Sequence, residues 1–192
     1  MSVESNKTLG GIGALLVAFG FFVPFLSIIG IILVFIALKG IADTYGDSSI
    51  FQNALYGIIF LIVGAVAGAV VILGAFFGIG WNMGTSATMD FTDIWAFIGT
   101  IIIGAVILFV FYLLSAIFFK KSFDTLATKT GERMFGTAGL LMLVGAILTI
   151  VLVGLILLLI AWILAAVAFF SIKTTAAQPV PSPPSAPPPP PA

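Results

Sequence analysis

Four stretches of the chain carry no charged side chain: residues 8–38, 48–89, 94–119 and 134–172, with the apolar part of the second at about 54–80. Each is long enough for a transmembrane helix, which needs roughly 20 apolar residues to cross a hydrocarbon core of about 30 Å. Two are too long. Residues 9–38 in a single helix would measure about 45 Å, and residues 134–172 about 58 Å, at 1.5 Å per residue. Tilts of about 0–40° do not absorb that excess. Folding each stretch into a helix–turn–helix hairpin does, with arms of about 15–20 residues. Pro24, in FFVPFLS, supplies the first hairpin turn. It lacks an N–H and biases the residue before it away from helix. In the last stretch only Thr149 and Gly154 interrupt LTIVLVGLI.

The basic residues favour two hairpins. There are seven: Lys7, Lys39, Lys120, Lys121, Lys129, Arg133 and Lys173. Four single spans would put Lys7 and Lys173 opposite the other five. With both end stretches folded as hairpins all seven fall on one side, and the other side keeps only IGWNMGTSATMDFTD, with Asp90 and Asp93. Cytoplasmic loops concentrate Lys and Arg, so the one-sided arrangement wins and both termini are expected in the cytoplasm. The expected fold is all-α, a polytopic helical membrane protein of about six apolar helical elements, two hairpins flanking two long spans. They lie at about 8–22, 26–42, 51–79, 93–119, 134–150 and 153–172. Charge placement is the same whether the hairpins cross or dip and return. Six full crossings are the expectation, because an apolar turn at re-entrant depth needs protein cover for its backbone.

The connecting segments carry helix punctuation. Gly46 can end the second helix in a left-handed conformation. Ser49 and Gln52 then fit a capping box for the third. Phe119, Phe123 and Leu126 recur at helical spacing with Lys120, Lys121 and Asp124 elsewhere on the wheel, which predicts a helix lying along the headgroups, ended by Gly131. Trp81 and Trp95 flank the acidic loop, as interfacial aromatics do. Asp90 and Asp93 sit where a helix starts and the dipole favours carboxylates.

Composition narrows the function classes. The chain is 61% apolar and 7% charged, with mean hydropathy +1.33. Soluble domains carry about 25% charged residues, so the solvent here is lipid. Zero net charge offers nothing to nucleic acid. With neither Cys nor His, disulfides, thiol chemistry, Cys/His metal sites and imidazole acid–base work are all removed. Lys7, Ala18 and Gly20 mimic a signal peptide, but the apolar run continues to Leu38 without a polar break, so cleavage is not expected. The division expected is a short N-terminal tail at 1–7, a helical transmembrane domain at 8–173 and a disordered, Pro-rich tail at 174–192. The Pro181-Ser-Pro-Pro184 spacing is formally a PxxP ligand, but with no basic residue beside it the tail reads as a linker.

Every charged residue lies outside the apolar spans or at their ends, and intramembrane charge is what marks proton relays and ion pathways. A pump, a proton-coupled antiporter and an intramembrane hydrolase are disfavoured together. No nucleophile sits with a base and no metal-ligand spacing occurs, so the protein is read as no enzyme, with no catalytic, cofactor or metal residue. The patterned feature is a small-residue face on the third span: Gly64, Ala67, Gly68, Gly74, Ala75 and Gly78 fall within about 120° of arc at 100° per residue. Small residues let a second helix approach closely in lipid, and Ala96, Thr100 and Gly104 offer a matching strip on the fourth span. Asp43, Tyr45, Asp47, Asn53 and Tyr56 form a polar loop group whose Asp and Gly read as turn chemistry before cation binding. GIILVFIA (30–37) and GLILLLIA (154–161) match at five positions, a trace of internal repetition.

On KTLGGIGALL (7–16), IALKGIADTYGDSSIFQNALYG (36–57) and residues 136–172, the chain resembles an uncharacterised family of archaeal and bacterial multi-pass membrane proteins, a domain-of-unknown-function family. The resemblance implies a prokaryotic cell membrane and carries no activity or ligand. The function expected is a non-enzymatic packing or assembly partner in the bilayer, binding a second copy or another membrane protein. A passive channel for a small neutral solute and a membrane-shaping hairpin protein are the alternatives. The absence of native cysteine provides a test of topology. A single cysteine at Ser182 is expected to resist a membrane-impermeant thiol reagent in intact cells, while one at Ser86 is labelled; labelling of both would mean that one end stretch crosses only once.

Overall fold

A computed structural model describes residues 3–85 and 90–173. Six helices follow one another: α1 (Val3–Phe19), α2 (Pro24–Tyr45), α3 (Ser49–Thr85), α4 (Phe91–Thr130), α5 (Met134–Leu148) and α6 (Val153–Ser171). The pairs α1–α2 and α5–α6 are the two expected hairpins. α1 starts at Val3, so most of the expected N-terminal tail is helical. The Pro-rich tail lies outside the described residues.

Local chemistry sets most of the breaks. Pro24 occupies the start of α2, where its missing N–H has no helical partner to lose. Gly46 and Gly131 end α2 and α4 at φ 65° and 74°, each returning its N–H to the carbonyl of Ala42 or Ala127. The second hairpin turns through a single 3-10 turn, Thr149–Val151, and then Leu152 at φ 62°. A left-handed leucine is strained, so packing rather than local preference holds this turn.

Each helix packs on the next, and α6 packs back on α1, closing a ring of six. The hairpins close on glycine pairs. A Cβ on Gly13 would fall 2.8 Å from the Gly30 carbonyl oxygen, and one on Gly145 would fall 3.1 Å from that of Gly154. The two matching octapeptides therefore each supply the glycine on which their own hairpin closes, Gly30 and Gly154. Close backbone approach of this kind is how helices gain contact in lipid, where apolar burial alone supplies no drive.

All six helix ends near the basic residues meet in one apolar base. Phe123, Phe135 and Phe169 are fully buried there. Phe135 packs edge to face on Phe169 and Phe123, with centroids 4.9 and 5.8 Å apart. Phe119 meets Phe35 and Trp162 in the same manner at 6.4 Å. The buried Ser122 hydroxyl donates to the Ile50 carbonyl at 2.7 Å, tying α4 to the first turn of α3. These residues correct one expectation. Phe119, Phe123 and Leu126 do not lie along headgroups; α4 runs unbroken to Thr130 and turns that stripe into the centre of the base. A stripe at helical spacing shows which face is covered and is silent on whether lipid or protein covers it.

Beyond the base the ring is shallow. Thr149, in the second hairpin turn, lies beside Tyr112 of α4. Residues 91–104 of α4, about 20 Å of helix, continue past both hairpin turns with only α3 alongside. This two-helix arm pairs Gly64 with Phe111, Gly68 with Leu108, Ile72 with Gly104 and Phe76 with Phe97.

Replacing Phe135 with Ala empties the base. The expected cost is about 3–5 kcal/mol, seen as unfolding at lower denaturant in detergent. Phe77→Ala on the arm, where the ring is 77% exposed, is expected to leave the unfolding midpoint unchanged.

Candidate functional site

The six small residues expected on one face of α3 do not share one environment. Gly64 and Gly68 are buried, and an added Cβ would collide with Phe111 and Leu108 of α4. Gly74 and Gly78 are exposed, and an added Cβ meets nothing within 4 Å. Ala67 and Ala75 are half-buried. The face is therefore used up inside the hairpin at one end and left open at the other. On α4, Gly104 lies against Ile72, while Ala96 and Thr100 join Gly74, Ala75 and Gly78 around a groove of about 580 Å³ at the outer end of the arm. Thr100 satisfies its own hydroxyl by donating to the Ala96 carbonyl at 2.8 Å, and Asp93 and Trp81 give the groove a polar rim at its outer end.

A second concavity of about 190 Å³ sits inside the ring at the level of the hairpin turns. Each helix gives it a wall: Val17, Ile31, Leu61, Ser115, Met142 and Trp162. A wider recess of about 440 Å³ opens beside it between the arm and the α5–α6 turn, sharing Leu61 and Tyr112. The polar groups on these walls are hydroxyls, from Ser27, Tyr112, Ser115 and Thr149, and Thr149 donates to the Gly145 carbonyl at 2.8 Å. Such walls suit hydrocarbon or a small neutral molecule.

The polar end carries its chemistry at Asp47. The capping box expected of Ser49 and Gln52 is not formed as such. The Asp47 carboxylate accepts from the Ser49 N–H at 3.0 Å and from the Ser49 hydroxyl at 2.6 Å, so Ser49 is the first helical residue and Asp47 its cap. Gln52 is exposed, and its backbone N–H bonds the Ser48 carbonyl at 2.9 Å. The carboxylate thus takes the Ser49 N–H that the Gln52 side chain would have to reach, and the Ser49 hydroxyl donates to it instead of accepting from the Gln52 N–H. Asp47 also pairs with Lys129 at 3.1 Å, linking the α2–α3 turn to the end of α4. The reach-back half of a capping box occurs instead at α4, where Asp93 accepts from the Asp90 N–H at 3.2 Å.

One buried polar group escaped the sequence reading. Asn6 is fully buried on α1 against Gly40 of α2, and neither of its side-chain polar atoms has a hydrogen-bond partner. An Asn just before an apolar run reads as solvated tail, and no local signal says otherwise. Among the described residues, no three acidic side chains come close enough to hold a metal ion.

Residues 26–163, reaching from α2 into α6, match the family described as "Protein of unknown function (DUF996)". The chain belongs to this family. It is also similar to "Uncharacterized protein MJ1644" of Methanocaldococcus jannaschii, 31% identical over 173 residues, which cover 90% of this chain and 94% of the relative. No solved structure matches. The DUF996 match takes in the whole arm, both sides of its groove and the second hairpin with most of α6. Among the described residues, five helices of this DUF996 protein are long and apolar enough to cross a membrane, the pattern of a multi-pass membrane protein.

The Ser49 contacts, followed by Lys129, hold the Asp47 carboxyl below its ordinary value of 3.8. A carboxyl lowered on folding stabilises the fold fully above its unfolded value and loses that contribution as pH falls below it. Asp47→Asn is therefore expected to lower thermal stability slightly at neutral pH, with the difference from the parent protein closing below about pH 3.8. A difference that persisted unchanged into acid would assign the effect to something other than this carboxylate.

Proposed function

We propose that this protein is a non-enzymatic packing partner within the membrane, joining a second copy of itself along the outer end of the α3–α4 arm. The observation that carries the reading is the division of the small-residue face. Gly64 and Gly68 are consumed by α4, whereas Gly74 and Gly78, four residues apart and therefore on one side of the helix, have nothing over them. In lipid an open small-residue notch gives another helix the close backbone approach that drives association. Ala75, Ala96 and Thr100 keep the floor of the groove low, between the larger Val70, Trp81 and Phe97. Both termini facing the cytoplasm remains part of this proposal, since the basic residues cluster at the opposite end from the notch.

The test separates fold from association. Gly74→Leu combined with Gly78→Leu is expected to leave helix content intact and to weaken self-association in bilayers about tenfold, equivalent to about 1.4 kcal/mol, measured by energy transfer between labelled copies. Gly64→Leu is expected to destabilise the monomer itself by about 1–3 kcal/mol, because it must force Phe111 aside. Unchanged association in the Gly74/Gly78 variant would overturn the reading. Flux of neutral solutes into reconstituted vesicles would then favour a passive facilitator, for which the hydroxyl-bearing cavity within the ring is the supporting feature.

A further inference from the structure

Two charged residues bound the apolar surface of α4, Asp93 at its outer end and Lys120 near the base. Residues 94–119 between them measure about 39 Å, against about 30 Å of hydrocarbon and about 40–45 Å with both headgroup layers. This band is the part of the protein that matches a bilayer, and its midpoint falls at Val106 and Ile107. The hairpins do not reach its far edge. Ile150, at the tip of the second, shares a recess with Ala105 and Leu108. Phe21 and Ser27, at the tip of the first, share the central cavity with Tyr112. From the base the answer is the same. Gly139 packs on Lys120, and from there to Thr149 α5 rises about 15 Å, half of a hydrocarbon core.

We infer that both hairpins end at the bilayer midplane, so that six helices share the leaflet on the basic side and only α3 and α4 share the other. The protein is then a wedge that favours membranes convex towards its basic side.

Two further observations agree. The hairpin tips carry no interfacial residue: Phe22, Phe25, Ile150 and Leu152 are 71–77% exposed and wholly apolar, whereas the outer end of the arm carries Trp81, Trp95 and Asp93. A turn surrounded by hydrocarbon must also bond its own backbone. The N–H groups of Gly20, Phe21, Phe22 and Val23 all reach carbonyls of the preceding turn, at 2.9–3.3 Å, and Pro24 has none to satisfy. That meets, for the N–H donors of the first turn, the objection on which the expectation of six crossings stood. Full crossing would instead leave about 20 Å of arm, with Phe76 and Ile103 exposed, standing in water.

The test places one spin label at Phe22→Cys or Ile150→Cys, with Thr92→Cys and Thr128→Cys as the two aqueous ends, in the full chain in vesicles of phosphatidylcholine and phosphatidylglycerol. Both tip labels are expected about 15 Å deep, with the highest oxygen collision rate and the lowest rate with a water-soluble relaxant. A relaxant rate at either tip equal to that at Thr92 would overturn the inference. In the same vesicles the mean diameter is expected to fall as protein is added; a constant diameter would overturn the wedge. Because the tips are exposed and lie on separate hairpins, a label that disturbs one leaves the other as an independent reading. Neither result depends on the Gly74 notch, so self-association and wedging can fail separately.

Discussion

The edge-to-face stack of Phe123, Phe135 and Phe169 is the contact on which the architecture hangs. It joins α4, α5 and α6 at the one level where all six helices are present, and Phe119 extends it through Phe35 and Trp162 to α2 and α6. Each such pair contributes about 0.5–1.5 kcal/mol beyond its burial. Above Lys120 glycine joins phenylalanine as a cohesive residue: Gly13–Gly30 and Gly145–Gly154 close the hairpins, while Phe60–Phe111 and Phe76–Phe97 pack α3 on α4. Aromatic rings fill space where water can be excluded. Glycines remove space where helices must touch.

The arm and the hairpins divide the work of meeting the bilayer. α3 and α4 have the length to connect two interfaces, and their ends carry the tryptophans and carboxylates that interfaces favour. The hairpin tips lie level with the middle of α4, beside Ala105, Leu108 and Tyr112, and their most exposed side chains are apolar. The same arrangement leaves the outer arm without neighbours from its own chain. It is there that Gly74 and Gly78 lie open, so the proposed wedge and the proposed association notch both rest on one difference in how far the helices extend.

Much of the fold was legible in the residues because its causes are local. Pro24 starts α2 and Gly46 and Gly131 end α2 and α4 by backbone geometry that no distant contact needs to supply. Two hairpins followed from length against bilayer thickness. The errors have a common cause as well. Ser49 and Gln52 fit a capping pattern, but Asp47 is a stronger acceptor placed two residues earlier. The Phe119 stripe has the spacing of a lipid-facing helix and the burial of a protein core. Periodicity puts the small residues of α3 in one arc, yet α4 covers Gly64 and Gly68 and leaves Gly74 and Gly78 open.

By itself, then, the chain determined its solvent, its helical class, the number of its apolar elements and the points at which several of them end. Those properties depend on composition, on span length and on the φ preferences of proline and glycine, all of which act within a few residues. Depth and partnership were decided only by the tertiary structure. Whether Leu152 can be held left-handed, how far up α4 the hairpins reach, which glycines are filled and why Asn6 is buried all depend on contacts between residues far apart in sequence. An apolar side chain carries the same pattern whether lipid, its own chain or a second copy covers it, and only the packed helices distinguish the first two.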